Sequence, residues 1–217
     1  MNVAGTVYRR FVARPTLSLM NTTNDTTQAR STTNAPTTNA AVWSVDPIHT
    51  TVGFAIRHLM VTTVRGIFEK VTGTVRYAPG EPEAAQIEVT IDPASVRTHD
   101  RQRDEHLQDP DFFDVARYPT IAFRSTAVCR GAGGGHAVKG ELTLRGITRP
   151  ITLAVHEIAG PHRDFRGARR IGATATAKLL RSDFGITYNI VLEAGGIALA
   201  DEVALTIDLS LIEKVAR

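Results

Sequence analysis

The chain has 217 residues, room for one sizeable domain, and its 42% apolar content can furnish a core. The net charge of +3 resides in the first 42 residues, which hold four Arg and one Asp, while the remainder balances 21 basic against 21 acidic side chains. That balance removes the electrostatic footprint of a nucleic-acid-binding domain, and a lone Cys129 excludes an internal disulfide and any multi-cysteine metal site.

The first twenty residues, MNVAGTVYRRFVARPTLSLM, contain Arg and no acid but no run of seven or more apolar residues. They do not read as a secretory signal, and nothing downstream reaches the length of a membrane span, so a cytoplasmic setting without stable membrane insertion is expected. A transit peptide and an untidy extension are the two readings of this segment, with Met20 as an alternative start. Residues 21–40 hold eight Thr and four Asn, too little apolar surface to offset the entropy of ordering them. Residues 1–41 are therefore expected to form a disordered arm, and 42–217 the folded domain.

From Trp43 onward the dominant period is two, the signature of strands. Apolar faces run through Val52/Phe54/Ile56/His58, Val71/Gly73/Val75/Tyr77, Ile87/Val89/Ile91, Ile121/Phe123, Val138/Leu142/Leu144, Ile151/Leu153/Val155, Ile171/Ala173/Ala175/Ala177/Leu179 and Val203/Leu205/Ile207/Leu209/Leu211. Turn signals separate them: APGEP at 78–82, RGAGGG at 130–135, RGITRP at 145–150, AGPHRDFRG at 159–167 and EAGG at 193–196. One apolar and one polar face per strand predicts an all-β fold, an eight-stranded antiparallel barrel able to enclose a small ligand. A sandwich satisfies the same pattern. The small residues Ala173, Ala175 and Ala177 either face bulky neighbours or leave space inside.

Helical signals occur only at about 99–118, between the third and fourth of these strands. Thr98 or Asp100 can cap a first short helix, Asp109-Pro110 can start a second, and Pro119 stops it. On the first, His99, Arg103 and His106 would share a face at i, i+4 and i+7. That face admits a metal site using His99 and His106, an acid–base site, a polar patch for an anionic or polar head group, or a structural cap with Arg103 paired to Asp104. The adjacent Phe112 and Phe113 point about 100° apart on a helix, which suits a lid on the barrel mouth. GAGGGH (131–136) lacks the Lys-Ser/Thr of a phosphate loop and reads as a hairpin. No His pair has HExxH spacing, and no GxSxG is present.

Taken in order, WSVDPIHTTVGFAIRHL (43–59), GIFEKVTGTV, the block IEVTIDPASVRTHDRQRDEHLQDPDFFDVARYPTIAFRST, VKGELTLRGITRPITL and RSDFGI (181–186) resemble the YceI-like family of polyisoprenoid-binding, lipocalin-like proteins. The resemblance covers nearly all of 43–212. It implies an elongated eight-stranded barrel around an apolar tunnel that holds long-chain amphiphiles such as isoprenoid quinones and polyprenyl compounds, without demonstrated catalysis. Many members are periplasmic, the alternative to a cytoplasmic setting.

The expected function is thus to bind and carry a long apolar amphiphile, fatty-acid amides included, with no cofactor beyond such a lipid. Val52, Phe54, Ile56, Ile87, Val89, Phe123, Ala173, Ala175 and Leu205 would line the tunnel. Phe112 and Phe113 would gate it, and His58, Arg103 and His106 would hold the head group. The competing readings are a lipid-modifying or metal-dependent enzyme built on residues 99–106, and a packed barrel acting only through partners. An apolar tunnel opening would suit a homodimer.

Overall fold

Period-two patterning yields eleven strands, all paired antiparallel, in a computed structural model that describes residues 40–78, 80–131, 134–191 and 197–214. The expected arm falls, up to residue 39, outside the described residues, as does the EAGG turn. In chain order the elements are β1 (Ala41–Val45), β2 (Thr51–His58), β3 (Thr62–Phe68), β4 (Val71–Tyr77), β5 (Gln86–Ile91) and β6 (Val96–Arg97). Helix α1 (Arg101–Gln108) follows, then β7 (Ile121–Arg130), β8 (His136–Leu144), β9 (Ile147–Arg163), β10 (Arg169–Leu180) and β11 (Leu199–Glu213).

The ladder runs β1-β4-β5-β7-β8-β9-β10-β11 and closes where β1 pairs β11, which makes an eight-stranded antiparallel barrel. The three remaining strands prolong three of these eight. β2 lies on the same edge of β11 as β1, with Val45 opposite Leu211 and Thr51 opposite Asp208. β3 pairs β2 and β6 pairs β3, so β1/β2, β4/β3 and β5/β6 are each one barrel strand with a break.

Two of the breaks come from Asp-Pro dipeptides, where Pro withholds a ladder donor and the Asp carboxylate caps the amide two residues on. Asp46 accepts from Ile48 N–H at 3.1 Å, and Asp92 from Ala94 N–H at 2.9 Å. The third, at Glu69–Lys70, is tied to its neighbour by Glu69 N–H to Ser95 C=O and Lys70 N–H to Ser95 Oγ. β3 escapes an alternation reading because Gly66 replaces an apolar residue; a Cβ there would lie 2.4 Å from the Phe54 ring, its partner across the ladder.

One helix forms where two are expected. Asp100 caps α1 by accepting from Arg103 N–H at 2.9 Å, and Pro110 forces Asp109 into an extended conformation (ψ 167°) that ends it. Residues 110–117 then fold as turns that satisfy the helix's last carbonyls: Phe113 N–H donates to Leu107 C=O and Val115 N–H to Gln108 C=O, each at 3.0 Å. The β8–β9 connection is shorter than RGITRP suggests, a two-residue turn at Arg145 and Gly146 with φ of 51° and 71°. Arg145 reaches from it to the carbonyls of Pro110 and Phe112, fastening the turns to the barrel. β9 likewise continues to Arg163, so that its connection to β10 spans only residues 164–168.

Inside, Trp43, Val71, Val96 and Phe184 are fully buried, and the Trp43 indole N–H donates to Tyr77 C=O at 3.2 Å. The core does not fill the barrel uniformly.

Candidate functional site

Two apolar cavities lie inside the barrel. The first, about 180 Å³, is walled by inward residues of β4, β5 and β7–β11, among them Val89, Phe123, Ala173 and Ala175. Ile87 is also on this wall. The second, about 350 Å³, is walled by β2, β3, α1 and the turns after it, and by Ile186, Tyr188, Ile190, Ala198 and Leu199. Val52, Ile91, Leu142 and Leu205 belong to both walls and form a collar between them.

Every residue expected at the site is on one of these walls. Phe54, Ile56, His58, Arg103, His106, Phe112 and Phe113 line the second cavity; Val52 and Leu205 sit at the collar. Ala177 packs against the core instead of lining a cavity.

The first wall includes Thr50, Tyr77 and His136, whereas both arginines of the two walls, Arg103 and Arg181, belong to the second cavity. Arg103 donates through Nε to Thr98 Oγ1 and through Nη2 to Thr98 C=O, both at 2.7 Å. The buried Asp104 accepts from Thr98 N–H at 2.7 Å and from its hydroxyl at 2.6 Å. Arg103 and Asp104 thus meet through Thr98 rather than pairing directly, as the cap reading had it. His106 Nε2 lies 3.3 Å from Asp111 Oδ2, with its ring edge-on to Phe112 (5.0 Å) and Tyr188 (5.1 Å). Phe113 instead meets Phe68 edge-on, and Phe68 in turn meets Phe54, each pair 5.6 Å between centroids.

The shared face of His99, Arg103 and His106 does not exist. His99 precedes the cap, exposed and with φ 62°, outside the helix. Among the described residues no three His, Cys, Asp or Glu side chains converge as metal ligands.

Sequence reasoning passes over Arg181, Ile186 and Tyr188, all on the second wall. Arg181 is buried, donating to the carbonyls of Ile186 (3.0 Å), Tyr188 (2.8 Å) and Ala200 (2.9 Å). Burial lowers its pKa from the ordinary value, against the opposing charge of Asp201. A signal existed: 181 continues the parity of 171, 173, 175, 177 and 179, so a charged residue occupies an inward position.

Away from both cavities, Asp46 (4% exposed) binds Arg170 and His49. Burial pushes its carboxyl up, but hydrogen bonds from Arg170, His49 and Ile48 N–H outweigh this and hold it at about 2. Arg170 also holds Asp164, bridging the first strand break to the β9–β10 turn.

The YceI-like domain profile matches residues 43–211. The chain belongs to the YceI-like family. A UPF0312 protein of Vibrio cholerae is 35% identical over 150 residues, covering 68% of this chain and 79% of that one. Protein YceI of Salmonella newport is 36% identical over 142 residues, 65% and 73% of the two chains. Among solved structures, the YCEI protein of Campylobacter jejuni matches with TM-score 0.61 at 31% identity, over 73% of this chain and 90% of that one. The fold also matches a polyisoprenoid binding domain from Saccharophagus degradans, with TM-score 0.58 at 15% identity, over 80% and 99%. The eight-stranded antiparallel barrel of this YceI-like protein thus rests on concordant grounds of sequence pattern, family and fold.

Proposed function

We propose that this YceI-like protein binds and carries a long-chain apolar amphiphile, an isoprenoid quinone, polyprenyl compound or fatty-acid amide, along the barrel axis. The observation that carries the reading is the pair of apolar cavities that share the collar of Val52, Ile91, Leu142 and Leu205. Together they act as one tunnel: an apolar tail threads the collar into the narrower cavity, and the head stays in the wider one beside Arg103, His106 and Tyr188. Affinity comes from methylenes removed from water, about 0.8 kcal/mol each. Arg103 and Arg181 have donors already committed to backbone and Thr98, so they set the polarity of the head-group region more than they clasp a full charge. Catalysis has weaker support, since His106 and Asp111 are both well exposed at the rim.

Organic extraction of the purified protein and native mass spectrometry test the proposal, followed by titration with a prenyl quinone and a fatty-acid amide. A co-purifying lipid or saturable uptake is expected. A ligand-free protein that takes up neither probe overturns it.

A further inference from the structure

Among the described residues, six of the exposed large apolar side chains stand together at the rim of the second cavity. The β2–β3 hairpin ends in Leu59, Met60 and Val61, and the segment before β11 adds Ile190, Val191 and Ile197; Met60 and Val61 are 66% and 75% exposed and Val191 is 80%. The backbone joins the two groups. Leu59 N–H donates to Ala198 C=O at 2.7 Å, Ala198 N–H to Ile190 C=O at 3.0 Å, and Val191 bridges Ile197. Ile190, Ala198, Leu199 and His58 in turn line the cavity, so the ridge is its outer lip.

The hairpin turn is itself anomalous. Val61 N–H closes onto His58 C=O at 3.1 Å around Leu59 (φ 52°) and Met60 (φ 56°). Positive φ at both central residues is the type I′ geometry that Asn-Gly adopts without strain, whereas a bulky L-residue is uncommon there and costs free energy. Two large apolar side chains are thus kept, against backbone preference, where both remain exposed. Arg57 lies against this tip, donating to Met60 C=O at 2.7 Å and Thr63 Oγ1 at 3.2 Å, with its side chain in solvent.

We propose that this ridge docks the barrel on a lipid bilayer, the apolar side chains entering the acyl boundary and Arg57 lying at the phosphate level. Apolar residues flanked by a snorkelling cation suit such an interface. Among the described residues, the six apolar side chains of this ridge fall far short of the roughly 20–30 residues per side of a stable protein–protein interface, which argues against a second copy as the occupant. The surface rests on the lipid-carrying reading for its purpose: a water-insoluble ligand would cross from bilayer to cavity over an unbroken apolar path.

The test is co-sedimentation of the full chain with vesicles of phosphatidylcholine alone and of phosphatidylcholine with phosphatidylglycerol at three to one. Wild type is compared with the double variant Leu59→Asn/Met60→Gly and with Phe165→Ser. Phe165 is 93% exposed at the β9–β10 turn, remote in sequence from the ridge. The Asn-Gly variant relieves the turn, so its melting temperature should hold or rise while its vesicle affinity falls about tenfold or more. Phe165→Ser should bind as wild type does, and prenyl-quinone titration in vesicle-free solution should be unchanged in all three. Equal vesicle binding by wild type and the Asn-Gly variant overturns the docking proposal. So does absence of vesicle binding by wild type, including when sedimentation shows the ridge holding a dimer together. Because quinone uptake is read separately, a failure of the carrier proposal leaves its own mark: vesicle binding without uptake.

Discussion

A guanidinium inside an apolar wall is costly unless its donors find acceptors, and Arg181 meets that condition with three backbone carbonyls. It holds residues 186–188 and the start of β11 in one place, so the wall carrying Ile186 and Tyr188 depends on it. Arg181→Met should leave those carbonyls unpartnered and lower stability by about 3 kcal/mol in urea denaturation, with altered near-UV signal from Tyr188. Asp46 works at the opposite sign. Its carboxyl is held at about 2 in the folded state, below the ordinary 3.8, so its contribution is complete above about pH 4 and is lost as the pH falls toward 2. Asp46→Asn should be less stable than wild type at neutral pH, and the gap between the two should close over pH 4 to 2 in a pH series of denaturation curves. Neither residue's role is visible from its type alone. The parity of position 181 marks Arg181 as inward, but which carbonyls it meets, Ile186 and Tyr188 just downstream and Ala200 in β11, depends on how the chain turns back on it.

At the scale of elements, the cross-strand pair of Phe54 and Gly66 shapes the wider cavity. Phe54 lies over the glycine because no Cβ obstructs it. Gly66→Ala should drive the ring into the cavity, since the ring's far end is the nearest atom and can swing. The expected outcome is a folded barrel with weaker uptake of bulky-headed probes, measured against the same tail with a small head. The Asp100 cap is read from the sequence because capping acts within a few residues, and the two Asp-Pro breaks carry an equally local signal that the sequence reading passes over. The second helix, expected from Asp109-Pro110 and Pro119, does not form: the Phe113 and Val115 N–H groups are drawn to the end of α1, and Arg145 pins the turn from a hairpin far away in sequence. β3 was hidden for a similar reason: its Gly66 is apolar by position and not by type.

For the whole molecule, the inward faces follow from alternation, since period two assigns each side chain to one face of a strand, whereas closure rests on the pairing of β1 with β11, which a sandwich with the same pattern would lack. Which inward positions leave space does not follow, because that depends on volumes summed across strands distant in sequence. Ala173 and Ala175 turn out to border space, while Ala177 is packed. Ala175→Phe should therefore fill part of the narrower cavity, hold or raise the melting temperature, and cut uptake of long tails far more than of short ones. Equal losses for short and long tails would place the ligand in the wider cavity alone. The pairing of β1 with β11 joins Trp43 to Glu213, the first strand to the last. On a ribosome, where chain emerges at about 5–20 residues per second, the earliest strands are then the last to acquire all their neighbours. Through most of synthesis the growing sheet has an open edge and an uncovered apolar face, and no ligand chamber exists until β11 arrives. On the carrier reading, a lipid can be loaded only after translation has passed β11.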